Sequence, residues 1–394
     1  MVAKSILISG AGIAGTTLAF WLSKFGFKPV IVEHAPALRK GGYGIDFWGA
    51  GYDVAQRMGI VAQLASADLG ISEVVFVDAD DKRKSSLNYI KLKQLMNGRA
   101  FTLLRSDLAR IVYDALDVGT EIIFNDAVAA IDDRPSGVQV KFRSGLVRDF
   151  DLVVGADGLH SQVRRLTLGE ETQFEQFYGY YVSSYTMPLQ HSNARSFRMY
   201  GTPGKQITAY STKDNQTTVL CIFSAPEKLS IHHGDVPAQK QRLRDEFAGT
   251  GWQSDFLLSG MDLATDFYFD VVSQIKMKEW SKGRVALVGD ASSCPSLLSG
   301  QGSTLAMVGA YILAGELKNA AGDFHLAFRQ YQSVFKPFLD SKQKIAQTFA
   351  KSLVPKTRFG MWMRDLAVRL MFFPLFSRMF VKQFDDADLN LKNY

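Results

Sequence analysis

The chain begins with an apolar run, Ser5-Ile-Leu-Ile-Ser9, which breaks at a glycine-rich turn and resumes with helical spacing. A second apolar run, Lys28-Pro-Val-Ile-Val-Glu33, follows. Two short buried runs around a helix-period segment predict a βαβ unit. Residues 72–98 alternate as strands do and then turn basic. From Ser106 to Leu116 the helical period returns: Leu108, Ile111, Val112 and Leu116 share one face, and Ser106 stands where a cap belongs. Glu121–Asn125, Gly137–Phe142 and Asp149–Val154 read as short strands. Residues 175–225 and 264–276 alternate and are rich in Tyr, Thr, Val and Phe, predicting a second, antiparallel sheet. A helix at Gln239–Phe247 separates its two parts. Arg284–Asp290 reads as a buried strand, and residues 304–318 as an apolar, alanine-rich helix. From Asp323 onward the pattern is helical, interrupted by Pro337, Pro355 and Pro374.

These elements predict an α/β protein. A Rossmann-type nucleotide-binding domain is split in sequence by an antiparallel β-sheet domain, and a C-terminal helical segment follows. The expected boundaries are 1–72, 101–172 and 280–322 for the nucleotide domain, 73–100 and 173–279 for the sheet domain, and 323–394 for the helices.

The first turn carries chemistry. Gly10, Gly12 and Gly15 have G-x-G-x-x-G spacing, Ala14 lies inside the run, and Glu33 ends the second strand. Gly10 permits the tight turn, Gly12 lets a pyrophosphate approach the backbone, and Gly15 lets helix and strand pack closely. The N–H groups at the helix start then face the phosphate charge. Glu33 is placed to accept hydrogen bonds from both ribose hydroxyls, which favours FAD or NAD over NADP at this site.

Composition narrows the alternatives. With 47% hydrophobic and 21% charged residues among 394, the chain has an ordinary globular composition. A net charge of +6 without a basic stripe argues against nucleic acid. Two cysteines, Cys221 and Cys294, make no disulfide framework and no metal-ligand spacing, so a reduced, cytoplasmic setting and no metal are expected. The N-terminal lysine and short apolar run lack a small-residue cleavage site, and no signal peptide is expected. No apolar stretch approaches about 18 residues, so no membrane span is expected. His160 and His191 read as surface residues, and Cys294 as a small packed residue without a histidine partner.

Three further elements lie in order along the chain: Arg105; Leu152-Val-Val-Gly-Ala-Asp157-Gly-Leu-His-Ser-Gln-Val-Arg164; and Gly283-Arg-Val-Ala-Leu-Val-Gly-Asp290-Ala with Cys294-Pro295 and Ser299-Gly300-Gln301-Gly302. Together with the first turn, they resemble the class A FAD-dependent monooxygenases, the para-hydroxybenzoate hydroxylase-like family, over about residues 1–320. The resemblance implies FAD as cofactor and NADPH or NADH as a transient reductant. O2 is then a co-substrate, reacting through a flavin hydroperoxide that passes one oxygen to the substrate. It leaves no protein residue as the chemical catalyst. Asp290 is implied to bind the ribityl chain, and Arg105 the ribose or adenine side. Asp157 is implied at the pyrophosphate region, and Arg39 and Asp46 beside the flavin. Pro295, Gly300, Gln301 and Gly302 then form the turn whose helix N-terminus faces the flavin's pyrimidine edge, where reduced flavin is negative.

Within that family the chain resembles the tetracycline destructases. The likeness lies in Phe25-Gly-Phe-Lys-Pro-Val-Ile-Val-Glu33, Arg39-Lys-Gly-Gly42 with Asp46, Phe267-Tyr-Phe-Asp270, Gln274-Ile-Lys-Met-Lys-Glu-Trp280, Leu298-Ser-Gly-Gln-Gly302 and Gly309–Leu317. Tyr43 and Phe47-Trp48 depart from the smaller residues usual there. The implied substrate is a polycyclic or aromatic small molecule, with tetracyclines foremost, acted on by a monomer or weak dimer. Tyr180, Tyr181, Tyr185, Phe197, Tyr210 and Phe223 are the aromatic candidates to line its pocket. The apolar tail from Arg369 to Phe380 is expected to cover the site, ahead of a membrane-surface or dimer contact. Another FAD oxidoreductase, a reductase or dehydrogenase, and a non-catalytic flavin-binding redox sensor are the competing functions.

Overall fold

A computed structural model describes residues 4–39, 41–188, 195–370, 389 and 391–394, without the side chains of 347–351. A six-stranded sheet carries the nucleotide domain. Its order is Ser281–Lys282, Val285–Leu287, Leu152–Gly155, Ser5–Ser9, Lys28–Glu33 and Glu121–Phe124. All pairs are parallel except the short edge pair, Ser281–Lys282 with Val285–Leu287. Ile6, Leu7 and Ile8 at its centre are fully buried, as both-face covering of a parallel sheet requires. The helices Ile13–Lys24 and Gly302–Asn319 pack against each other on this sheet.

The second sheet has seven strands in the order Tyr268–Ile275, Glu175–Met187, Thr217–Ser224, Lys205–Ser211, Ser196–Thr202, Glu73–Val77 and Arg83–Asn88. It is antiparallel except where Ser196–Thr202 runs parallel to Glu73–Val77. Its two faces differ. Tyr181, Tyr185, Ile207, Cys221 and Phe223 join Leu243, Phe247 and Leu257 of the covering helices Val236–Phe247 and Ser254–Ser259. The alternate residues face the other way: Tyr180, Val182 and Ile222 meet Leu298 and Val354, while Phe197 and Tyr210 meet Val368.

Several local expectations shift. The helix expected from Ser106 begins at Arg105, with Leu104 as its cap residue and no side-chain cap bond. The strand expected at Asp149–Val154 splits at Asp151. Val147–Phe150 joins a small three-stranded sheet and Leu152–Gly155 the parallel one, while Asp151 accepts from Ser5 N–H at 2.8 Å. The chain turns helical at Asp290, so the expected strand ends at Leu287. Pro337 does not interrupt its helix, which runs from Phe324 to Leu353. Proline removes one ladder bond, and burial of Phe335, Phe338 and Leu339 around it holds the helix together. Helix resumes after Pro355 as Arg358–Leu370. Pro374, Phe373, Leu375, Phe376, Phe380 and His191 lie outside the described residues.

Candidate active site

The first glycine turn is built as its spacing predicts. Gly10 has φ +109°, and a Cβ there would lie 2.5 Å from the Ala156 carbonyl oxygen. A Cβ at Gly15 would lie 1.9 Å from the Gly10 carbonyl oxygen. Gly12 is different: no heavy atom would stand within 4 Å of its Cβ, so its surface is open. Gly12 is also the cap residue of the helix Ile13–Lys24 and provides no side-chain cap. An open glycine at an uncapped helix N-terminus is a cradle for a phosphate group.

Glu33 braces this turn. One carboxylate oxygen accepts from Ala11 N–H and the other from Ala35 N–H, both at 2.9 Å, and His34 Nδ1 lies 2.9 Å away. Burial opposes the charge, but these partners win and hold the carboxyl at about 2. Ala14 is buried, and a Cβ on Gly289 would lie 2.8 Å from its methyl carbon, so the first turn rests directly on the strand end before Asp290.

At that strand end, Asp290 opens a short helix, Asp290–Ser293. Burial raises its carboxyl, while Arg105 and a hydrogen bond with Cys294 pull it back. Arg105 is surrounded by protein yet keeps an accessible side chain, as a residue lining a deep cleft does; its charge acts on Tyr43, Asp290 and Tyr268. Its backbone N–H donates to the Tyr43 carbonyl at 3.1 Å. Burial pushes the Tyr43 phenol up to about 12, against the pull of Arg105. The Tyr43 and Tyr268 ring centroids lie 6.1 Å apart.

A second uncapped helix N-terminus, at Gly302, follows the left-handed Gly300 (φ +64°). Neither Gly300 nor Gly302 has a heavy atom within 4 Å of a Cβ position. The buried Gln301 Oε1 has no protein partner. Pro295 is buried, and its carbonyl accepts from Gln274 Nε2 at 3.0 Å. Two open glycine cradles, an orphan amide oxygen, and Arg105 beside Asp290 fit an extended dinucleotide.

The other predicted residues bond to the protein around them, and the Cα of Asp157 would lie 3.1 Å from a Cβ on Gly10. Asp157 holds its own loop, accepting from Ser161 Oγ at 2.5 Å and Val163 N–H at 3.0 Å. Asp46 accepts from Tyr89 OH at 2.5 Å and Thr102 Oγ1 at 2.9 Å, so both its oxygens are committed to neighbouring strand and helix residues. Arg39 is exposed, with Nη2 3.3 Å from His34 Nε2. Of the aromatic candidates, Tyr181, Tyr185 and Phe223 face the covering helices, where Tyr185 OH donates to the Leu257 carbonyl at 3.0 Å. Phe197 and Tyr210 face the nucleotide side. The Tyr210 hydroxyl bonds Gly44 N–H, and a Cβ at Gly44 would lie 3.2 Å from both rings' tips. That face also carries Ser184, Gln206 and Thr208, whose buried oxygens lack protein partners.

Sequence reasoning missed two groups. Arg164 is fully buried and donates to the carbonyls of Ala291 at 2.9 Å and Leu159 at 2.7 Å and to Glu171 at 2.8 Å. His160 is exposed, as expected, and is also paired: its Nε2 lies 3.1 Å from Asp270 and its Nδ1 3.0 Å from Glu171. Burial disfavours its charge, but the two carboxylates outweigh that and push it up to about 10. His233 joins His160 and Asp270, the three ligand atoms lying within 4.8 Å of one another. The spacing of Arg164 after Asp157 is visible in the chain; the pairing of His160 with Asp270 is not, because 110 residues separate them.

The family model of the FAD binding domain matches residues 3–322. A flavin-dependent monooxygenase of Legionella longbeachae is 36% identical over 352 residues, covering 89% of this chain and 90% of that protein. An uncharacterized protein of Mycobacterium tuberculosis is 39% identical over 343 residues, covering 86% of this chain and 92% of that protein. The crystal structure of tetracycline destructase Tet(51) superposes with a TM-score of 0.86 at 34% identity, over 100% of both chains.

Proposed function

The chain belongs to the FAD binding domain family of class A flavin-dependent monooxygenases, and on that premise we propose that it oxygenates a polycyclic or aromatic substrate, a tetracycline first among candidates, using NADPH or NADH. It is an FAD enzyme. When bound, FAD supplies the redox chemistry that reduces O2 and delivers one oxygen atom. The protein supplies binding, orientation and exclusion of water.

In this reading the Gly10–Gly15 turn and its helix N-terminus hold the pyrophosphate, and Glu33 keeps that turn rigid while facing the ribose. Arg105 and Asp290 bind the middle of the cofactor. The open N-terminus at Gly302 faces its pyrimidine edge, where a helix N-terminus favours negative charge. Asp157 and Asp46 act through the loops and strands they bond. Pro295 and Gln301 shape the Gly300–Gly302 turn.

The observation that carries the substrate reading is the nucleotide-facing side of the second sheet. It combines the rings of Phe197 and Tyr210 with the unpartnered oxygens of Ser184, Gln206 and Thr208. Each unpaired buried oxygen costs roughly 1–3 kcal/mol. A flat, polyoxygenated ring system would stack on such rings and supply the missing donors. Tet(51), named a tetracycline destructase, has the same fold over its whole length, which supports tetracyclines as the first compounds to test.

The test is NADPH and NADH oxidation in the presence of tetracyclines and of simple phenols, with mass spectrometry of the products. Stimulated oxidation and a product heavier by one oxygen atom are expected. No oxygenated product from any tetracycline would remove that substrate and leave the family assignment standing.

A further inference from the structure

The C-terminal helix Arg358–Leu370 turns an apolar stripe away from the protein. Its inner side is occupied. Val368 is buried with Phe197 and Tyr210, and the Arg364 guanidinium lies 4.3 Å from the Phe76 ring centroid. Asp365, the helix's one acid, is buried between Arg364 at 2.9 Å and Lys84 at 3.5 Å. The outer side carries Phe359, Trp362 and Met363, which are 71%, 58% and 44% exposed. The first two rings stack with centroids 5.9 Å apart. Such a stripe on a helix surface is unusual for an isolated soluble protein.

Cations rim the stripe. Arg358 and Arg369 line one groove together with Trp362 and the Lys84–Asp365 ion pair. The outer side of the helix carries no acid. Aromatic and apolar residues on one side of a helix, with arginine and lysine along the margin, match a helix lying in the plane of a bilayer surface.

We infer that the helix Arg358–Leu370 docks on an anionic lipid surface, with Phe359, Trp362 and Met363 entering the interfacial layer and Arg358 and Arg369 meeting lipid phosphates. A second copy of the chain fits less well. A twofold contact through this stripe would bring the basic margin of one copy against the same margin of the other. An anionic membrane supplies the opposite charge. The inner side of the same helix covers the end of the second sheet beside Phe197 and Tyr210, so docking sets this end of the molecule at the bilayer.

The experiment uses the full-length, FAD-containing protein sedimented with two kinds of vesicle: phosphatidylcholine alone, and phosphatidylcholine mixed with phosphatidylglycerol. Wild type should bind the anionic vesicles at least about tenfold more tightly than the neutral ones, and raised salt should weaken that binding. Phe359→Ser with Trp362→Ser should lose the binding by about tenfold or more while keeping flavin absorbance and far-ultraviolet circular dichroism. Trp362→Phe should keep the binding and remove the vesicle-induced blue shift of tryptophan fluorescence. Failure of wild type to bind anionic vesicles overturns the proposal. So does equal binding by the double variant, which would place the contact elsewhere in the chain. A wild-type dimer that Trp362→Ser dissociates, with no vesicle binding, would assign the stripe to a second copy instead.

Discussion

Arg164 Nη1 donates to the Ala291 carbonyl at 2.9 Å and thereby ties the Asp157 loop to the turn that presents Asp290. The same guanidinium holds the Leu159 carbonyl and Glu171. One fully buried cation thus fixes two of the segments predicted to hold the cofactor. Arg164→Met should destabilise the fold by roughly 3 kcal/mol, because Glu171 and two carbonyls lose a buried donor. It should also weaken FAD binding by displacing Asp290. Urea unfolding and flavin titration measure the two effects. Unchanged FAD affinity in a folded variant would mean that the two segments do not depend on each other.

Gly12 and Gly15 should respond in opposite ways. A side chain at Gly12 meets no protein atom within 4 Å, so Gly12→Val should fold and lose FAD by filling the phosphate cradle. A Cβ at Gly15 would stand 1.9 Å from the Gly10 carbonyl oxygen, so Gly15→Ala should lower stability as well as FAD content. Thermal melting with flavin absorbance separates the cases. Full occupancy in Gly12→Val would contradict the cradle.

The paired faces of the second sheet give a third contrast. Tyr185→Phe removes a hydrogen bond to the Leu257 carbonyl and should cost about 1 kcal/mol while leaving KM for substrate unchanged. Thr208→Val removes a hydroxyl that has no protein partner, so stability should hold or rise slightly while KM for a polyoxygenated substrate increases. Steady-state kinetics and urea unfolding of both variants decide. A KM effect confined to Tyr185→Phe would put the substrate on the wrong side of the sheet.

His160 should make stability depend on pH. Its folded pKa of about 10 lies above the ordinary 6.5. Its stabilising contribution is therefore complete below pH 6.5 and is lost as pH rises through about 10. The side chain is 39% exposed, so solvent screening reduces the size of the effect. Urea unfolding from neutral to alkaline pH should show wild type losing more stability than His160→Gln. Parallel pH profiles would mean that Asp270 and Glu171 do not hold the imidazolium.

Local spacing and period made the nucleotide fold readable. Gly10, Gly12, Gly15 and Glu33 lie within one βαβ unit, and Asp290 and Gly302 lie only twelve residues apart. Sheet alternation gave the second sheet its strands but not its orientation. Tyr180 and Tyr181 occupy opposite faces by geometry alone, and nothing local says which face meets the nucleotide domain. Aromatic weight pointed to both faces, to Tyr181, Tyr185 and Phe223 on one and to Tyr180, Phe197 and Tyr210 on the other, and passed over the unpartnered oxygens of Ser184, Gln206 and Thr208. Arg105 takes the first position of its helix in place of Ser106 as cap, and its backbone N–H donates to the Tyr43 carbonyl.

The C-terminal segment packs on the second sheet and fastens to the nucleotide domain. Tyr180 OH donates to the Val354 carbonyl at 3.0 Å, and Gly204 N–H to that of Pro355 at 2.8 Å, so the chain enters the C-terminal helix pinned to the second sheet. Beyond the helix, Lys392 Nζ and Tyr394 OH reach Glu316 at 2.8 and 2.7 Å, fastening the end to the helix whose N-terminus is at Gly302. Deleting everything from Val354 would therefore remove the helix packed on the sheet and the fastener together. Val368→Asp is the cleaner probe, since Val368 is buried against Phe197 and Tyr210 and lies far in sequence from both pins. A carboxylate there should lift the helix from the sheet and admit water, because an unpaired buried charge is strongly disfavoured. Water exclusion is what keeps oxygen transfer from being wasted as hydrogen peroxide. The expected result is full FAD content with a higher ratio of peroxide released to NADPH or NADH consumed. An unchanged ratio with an unchanged KM would show that the helix shields nothing that the reaction needs.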